Sequence, residues 1–313
     1  MQFINQNQYI MEKTVLIINN DRSQALSLKK NLAELLPEYL FEAYHTSADI
    51  QHAIENRFYT LAILDIQIEQ SAINGTALAK RIFEINPIAS IIFINSHKAD
   101  FFAQSESILV TGKVLDVISK QANSAATASL IKPIITSYYH QLNQNTSILN
   151  GSLLQHYSDV KNETDPFKKG IAFERFISLL FGFLGYKEIR KRVIDSSRNE
   201  VDIIIRNEIK DPFLNKFGKY ILLECRNRPD YTIGKNDFII FNEKLKNSNG
   251  LAELGIIAST GGFAKTAYLE AMRGSGMANK VLFLSNVEFL TMIGADDKIE
   301  AFKKIIDEQM KNN

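Results

Sequence analysis

"KYILLECRNRP", Lys219 to Pro229, decides how the second half of this chain is read. Its first half is the unbroken apolar run of a buried strand, yet Glu224 and Arg226 stand in its second half. Side chains alternate across a strand, so Glu224 and Arg226 share one face while Leu223 and Cys225 share the other. A strand that starts apolar and ends acid-x-base begins in a core and opens into a polar cleft. Upstream, "EVDIIIR" supplies Asp202 among Val201, Ile203 and Ile205. Two carboxylates on neighbouring strand ends can share a divalent cation, because hard cations take oxygen ligands.

The surrounding pattern fits a mixed α/β domain opened by a helix. In "GIAFERFISLLFGFLGY", Phe173, Phe176, Leu180 and Phe183 fall at helical spacing, and Gly185 suits a helix C-terminus. Strand-like runs follow at "EVDIIIRN", "YILLECRNR", "LGIIAST" and "VLFLSN", with helices "NDFIIFNEKLKNS" and "AKTAYLEAMRG" among the later ones. Lys235 and Lys244 lie where a following helix can reach the acidic site, and Gly261 and Gly262 read as a turn. The run "YKEIRKRVIDSSR" carries Lys187, Arg190, Lys191, Arg192 and Arg198 just before the Asp202 strand. It reads either as a phosphate-contacting edge for nucleic acid or as a solvated surface strand.

The first half alternates differently. "TVLIIN", "LFEAYHT", "LAILDI" and "SIIFINS" are separated by helical periods such as "SQALSLKKNLAELL" and "GTALAKRIFEIN". Continuous β-branched runs between helices predict a parallel sheet covered on both faces, a doubly wound domain. "SAATASLIKPIITSYYHQLNQN" closes it, with Pro133 expected to kink that helix or begin another. Between Asn143 and Lys169 the chain turns polar, which predicts a connector holding at most a short helix around "LLQHYSDV". The expected division is a first domain over 12–144, a linker over 145–166 and a second domain over 167–313.

At 313 residues, 45% hydrophobic and 23% charged, the chain has material for two buried cores. Its net charge of +1 excludes a globally basic coat, though a local basic patch still supplies phosphate contacts. Cys225 is the only cysteine, so no disulfide forms within the chain. No apolar run reaches the ~20 residues of a membrane span, and "MQFINQNQYIMEK" is not a signal peptide, so a cytoplasmic location is expected.

"VLIINND", "LAILDIQ" and "DVISKQ" resemble the response-regulator receiver family, over roughly Lys13 to Gln144. The resemblance implies a flavodoxin-like fold in which Asp65 would accept phosphate and Lys120 would contact the phosphoryl group. Where that family has an acid pair, this chain has Asn19 and Asn20, so magnesium should bind weakly. Asp21 points elsewhere, the family's hydroxyl position falls on Asn95 or Ser96, and its switch aromatic on Val117. Asp65 therefore reads either as a phospho-acceptor or as a polar strand end in a domain kept for dimerisation or for binding a regulatory protein.

The order Asp202, then Glu224-x-Arg226 resembles the PD-(D/E)XK nucleases, and within them the Mrr-like restriction endonucleases. Phe173-Glu174 before "FLGY", the mid-motif Cys225 and "GGFAKTAYLEAM" extend the resemblance from about Gly170 to Met292. It implies a restriction-endonuclease-like mixed α/β fold, magnesium or manganese as cofactor, and DNA as substrate, with a homodimer to cut both strands. Asp202, Glu224 and the backbone carbonyl of Cys225 would hold the metal, with Glu174 orienting water or a second cation and Arg226 completing the catalytic set. Arg226 stands where that family has lysine, and a guanidinium grips phosphate but is no general base. The resemblance points to restriction or anti-phage defence. The alternative is an inactive nuclease fold that binds DNA or a protein partner as a regulator.

Overall fold

The computed structural model describes residues 13–65, 74–95, 107–144, 146–194, 200–248, 250–273 and 279–312. They fall into two compact units, Ile10–Leu149 and Asn150–Asn313.

In the first unit, β1 (Thr14–Ile18), β3 (Leu61–Asp65) and β4 (Ser90–Asn95) are buried throughout. β2 (Leu40–Tyr44) and β5 (Val114–Ser119) form the edges of a parallel sheet ordered β2-β1-β3-β4-β5. That is the flavodoxin-like order, and interior strands buried on both faces account for the near-continuous Val/Ile/Leu runs. Helices α1 (Arg22–Leu35), α2 (Ser47–Asn56) and α3 (Gly75–Ile85) begin where Asp21, Thr46 and Asn74 accept backbone N–H groups of their own first turns. One core layer packs Leu16, Leu64 and Phe93 with Ile50, Leu78 and Ile82; the other packs Ile17, Ile63 and Ile92 with Leu32, Ile131 and Tyr139. The last helix, α4 (Ser124–Gln144), runs through Pro133 as one element, so no new helix begins there.

The second unit holds a mixed sheet ordered β12-β10-β8-β7-β6. β8 (Tyr220–Arg226), β10 (Ala252–Ser259) and β12 (Lys280–Leu284) are parallel; β7 (Glu200–Arg206) and β6 (Ile189–Ile194) continue antiparallel. A separate two-stranded pair joins β9 (Thr232–Ile233) and β11 (Gly262–Phe263). α6 (Pro166–Phe183) starts at an Asp165 cap with proline in its first turn, buries Phe173, Phe176 and Leu180, and ends before Gly185 at φ 97°. On the opposite face α7 (Lys235–Lys246) and α8 (Lys265–Arg273) cover Leu222, Ile257 and Phe283. α9 (Asn286–Gly294) and α10 (Lys298–Asn312) complete the unit.

The expected polar connector is mostly helix. α5 runs from Thr146 to Asn162, and its Leu153, Tyr157 and Val160 are fully buried. Tyr157 packs on Phe176 and Phe289, with ring centroids 4.9 and 5.5 Å away, and its hydroxyl donates to Asn286 Oδ1 at 2.9 Å. At the other end Asn150 Oδ1 accepts from the buried Lys298 ammonium at 2.6 Å. We propose that the second domain's own fold begins with α5 rather than at residue 167.

Candidate active site

β7 and β8 pair with Ile203 opposite Leu223. One step further, the same antiparallel register sets Asp202 across from Glu224, so both carboxylates leave the sheet on one side. In the opening stretch Ile221, Leu222 and Leu223 are buried, Leu222 in the core shared with α7, and Cys225 and Arg226 are partly exposed at the strand end. The Glu224 side chain is only 7% exposed and that of Asp202 17%.

Two cations meet this pair. Arg226 binds Glu224 Oε1 through Nη2, lies 3.6 Å from Asp202 Oδ2 through Nη1, and donates from Nη1 to the Cys225 carbonyl at 3.3 Å. Lys244, from α7, donates to the other Glu224 oxygen at 3.0 Å and to Glu200 O at 2.8 Å. Lys235 is directed elsewhere, to Glu270 at 3.3 Å. The Cys225 N–H donates to Asp202 Oδ2 at 2.7 Å.

The electrostatics reflect this crowding. Burial first, and then the Glu224 charge, hold the Asp202 carboxyl above its ordinary value, against the opposing Cys225 N–H, Arg226 and Lys244. Burial, then the charges of Asp202, Glu174 and Glu224, push the Cys225 thiol well up. Glu174, buried on α6, is thus close enough for its charge to be felt at Cys225.

Among the described residues no group of three or more His, Cys, Asp or Glu side chains is placed to hold a metal. The available donor set is two carboxylates and one carbonyl, all oxygen, which suits magnesium or manganese rather than a soft metal.

The basic run maps onto the edge strand β6 and the residues before it. Arg190 is engaged with Glu188 through Nε at 2.8 Å, and Arg206 shares that carboxylate at 3.1 Å. Lys187 and Lys191 flank Arg190, while Arg198 and the side chain of Arg192 lie outside the described residues.

Sequence reasoning missed the support behind Arg226. Asn227 Nδ2 donates to Val160 O (3.1 Å) and Lys169 O (2.9 Å), and its Oδ1 accepts from Thr260 at 2.9 Å. Beyond it, Arg228 lies over the Tyr231 ring at 5.8 Å, and Tyr231 is anchored to Asp237 at 2.9 Å. Gly261 presses on this loop: an added Cβ would fall 2.1 Å from Tyr231 O and 2.7 Å from Arg228 O. Both are backbone atoms with little room to yield. Gly261→Ala is therefore expected to cost about 1–3 kcal/mol and to displace the Arg228–Tyr231 loop; an unchanged denaturation midpoint would contradict this.

In the first unit Asp65 ends β3, 2% exposed, with Lys120 Nζ on its Oδ2 at 2.6 Å. Asn19 and Asn95 are buried at the ends of β1 and β4, and Asn20 is exposed. Asp21 is committed to capping α1, accepting Gln24 N–H at 3.0 Å, and Val117 is buried in the core. Ser96 lies outside the described residues. With amides in place of the acid pair and a lysine already on the aspartate, acetyl phosphate with magnesium is expected to leave Asp65 unmodified. Intact-mass spectrometry showing stoichiometric phosphorylation would overturn that expectation.

The second unit is a mixed sheet in which two carboxylates face each other on neighbouring strands, and it is the match of this segment to a known family that indicates a nuclease-type hydrolase domain. Residues 168–293 match the family model for the Mrr catalytic domain, a restriction endonuclease, which places a domain of that kind in the second unit. Solved structures similar to the chain include a CheY-like response regulator receiver domain protein from Methanospirillum hungatei JF-1, 22% identical, covering 42% of this chain and 98% of that one at a TM-score of 0.34. A CheY-like receiver domain from Methylobacillus flagellatus is 17% identical, with 39% and 98% covered and a TM-score of 0.32. An adenylate cyclase structure from Rhodopirellula baltica is 14% identical, with 44% and 97% covered and a TM-score of 0.36. The search of curated proteins returned no match. The strand order of the first unit shows a flavodoxin-like fold.

Proposed function

We propose that the protein is a divalent-metal-dependent endonuclease acting on duplex DNA, with the receiver-like unit as its regulatory or dimerising module. The observation that carries this reading is the convergence of Asp202 Oδ2, Glu224 Oε1 and the Cys225 carbonyl at the ends of β7 and β8, inside the segment matching the restriction-endonuclease family. Those three oxygens would hold magnesium or manganese. Bound there, the metal supplies a lowered pKa for water and stabilises charge on the attacked phosphate. Lys244 fixes the Glu224 carboxylate from its far side. Arg226 is the group with the forked geometry to grip a phosphate oxygen pair. Glu174, whose charge is felt at Cys225, would orient water there.

A homodimer gives one site per strand, and restriction or anti-phage defence is the setting proposed for it. A cytoplasmic location is part of the same reading; no helix among the described residues is long and apolar enough to cross a membrane. A second reading, an inactive nuclease fold acting as a DNA- or protein-binding regulator, is favoured by one observation: both carboxylates already have cationic partners. Incubating supercoiled plasmid with the protein and Mg²⁺ or Mn²⁺ separates the two. Metal-dependent nicking or linearisation is expected. Its absence, together with calorimetry that finds no divalent-metal binding, would sink the nuclease reading.

A further inference from the structure

The three oxygens assigned to the metal share one present neighbour. Arg226 places Nη2 on Glu224 Oε1 and Nη1 within 3.6 Å of Asp202 Oδ2 and 3.3 Å of the Cys225 carbonyl. Its guanidinium therefore sits where those donors converge. Lys244 does not: it takes the opposite oxygen of Glu224 and is tied to Glu200 O.

We propose that Arg226 is a built-in counter-ion that fills the cation seat formed by Asp202, Glu224 and the Cys225 carbonyl, and that it must swing out before a divalent metal enters. The proposal rests on the metal-site reading above. Two largely buried carboxylates facing each other need positive charge between them, and without metal the nearest guanidinium supplies it. A divalent ion needs the same lone pairs and repels the guanidinium at that range, so the two exclude each other. The moving part is Arg226, because its side chain is 35% exposed at the strand end while those of Asp202 and Glu224 are only 17% and 7% exposed. Once released, the guanidinium is free to meet phosphate, so loading the metal and presenting a phosphate-binding arm become one event.

Calorimetric titration of Mn²⁺ into the full chain tests this, comparing the parent with Arg226→Gln and Lys244→Gln. Each variant removes one positive charge beside Glu224, but only the first empties the seat. If Arg226 vacates it in about one molecule in ten, Arg226→Gln binds Mn²⁺ about tenfold more tightly than the parent. Lys244→Gln should gain several-fold less. A parent that binds Mn²⁺ with Arg226→Gln no tighter, or with both variants gaining equally, overturns the counter-ion role and leaves the metal site standing. No binding by any of the three removes the metal site and this inference with it. Circular dichroism checks the folds. Should Arg226→Gln not fold, Arg226→Lys decides: its ammonium lacks the fork, so tighter binding than the parent supports the proposal and equal binding overturns it.

Discussion

Asp202→Asn and Glu224→Gln are each expected to lower metal-dependent plasmid cleavage by about 10³-fold or more, since metal-ion catalysis contributes several kcal/mol and each ~1.4 kcal/mol is a factor of ten. The amides keep the shape of the acids and one of their two acceptor oxygens. In the Asp202→Asn variant the side-chain carbonyl would still accept the Cys225 N–H; in Glu224→Gln the one carbonyl would still accept from Lys244, while the amide NH2 turned toward Arg226 forfeits that second bond, a local loss that leaves the strand pairing in place. Neutralising one acid also relieves the repulsion between the two, which in the parent helps hold the Asp202 carboxyl high. Near-parental melting with lost activity is therefore the expected pair of results. Variants that cleave as fast as the parent would remove these carboxylates from the mechanism.

The second large effect concerns α5. A fragment 163–313, which keeps the whole family-matched segment, is expected to fold poorly or not at all, whereas 146–313 should fold. Leu153, Tyr157 and Val160 are fully buried, and at roughly 1.5–3 kcal/mol each they contribute about 5–9 kcal/mol. That rivals the ~5–15 kcal/mol that separates a typical folded domain from its unfolded chain. Removing the helix also strips the Val160 carbonyl from Asn227, next to Arg226. Thermal unfolding followed by circular dichroism decides it. Melting of 163–313 within a few degrees of 146–313 would show α5 to be dispensable.

The first sheet was legible because its interior strands are buried on both faces, so β1, β3 and β4 announce themselves as continuous apolar runs. The alternation in "YILLECR" likewise put Glu224 and Arg226 on one face. The helical spacing of Leu153, Tyr157 and Val160 was present too, but polar neighbours such as "NQNTSILNGS" masked it. A helix that buries one narrow stripe is polar nearly everywhere else. The facing of Asp202 and Glu224 depends on how the chain between β7 and β8 turns back, and the arrival of Lys244 depends on how α7 lies across the sheet. No local period encodes either. Nor does it encode that the arginine of the motif touches the oxygens assigned to the metal.

The Asn227 amide holds the last turn of α5 and the first turn of α6, while Thr260 holds its carbonyl oxygen. The backbone one residue beyond Arg226 is thus fastened on three sides. Departure of the guanidinium must then be a rotamer change and not a shift of the strand. Rotations of exposed side chains take up to the order of nanoseconds, to which breaking the ion pairs of Arg226 adds, against microseconds to milliseconds for collective motions. Metal entry would accordingly wait on the breaking of the Arg226 ion pairs and not on a collective motion of the sheet.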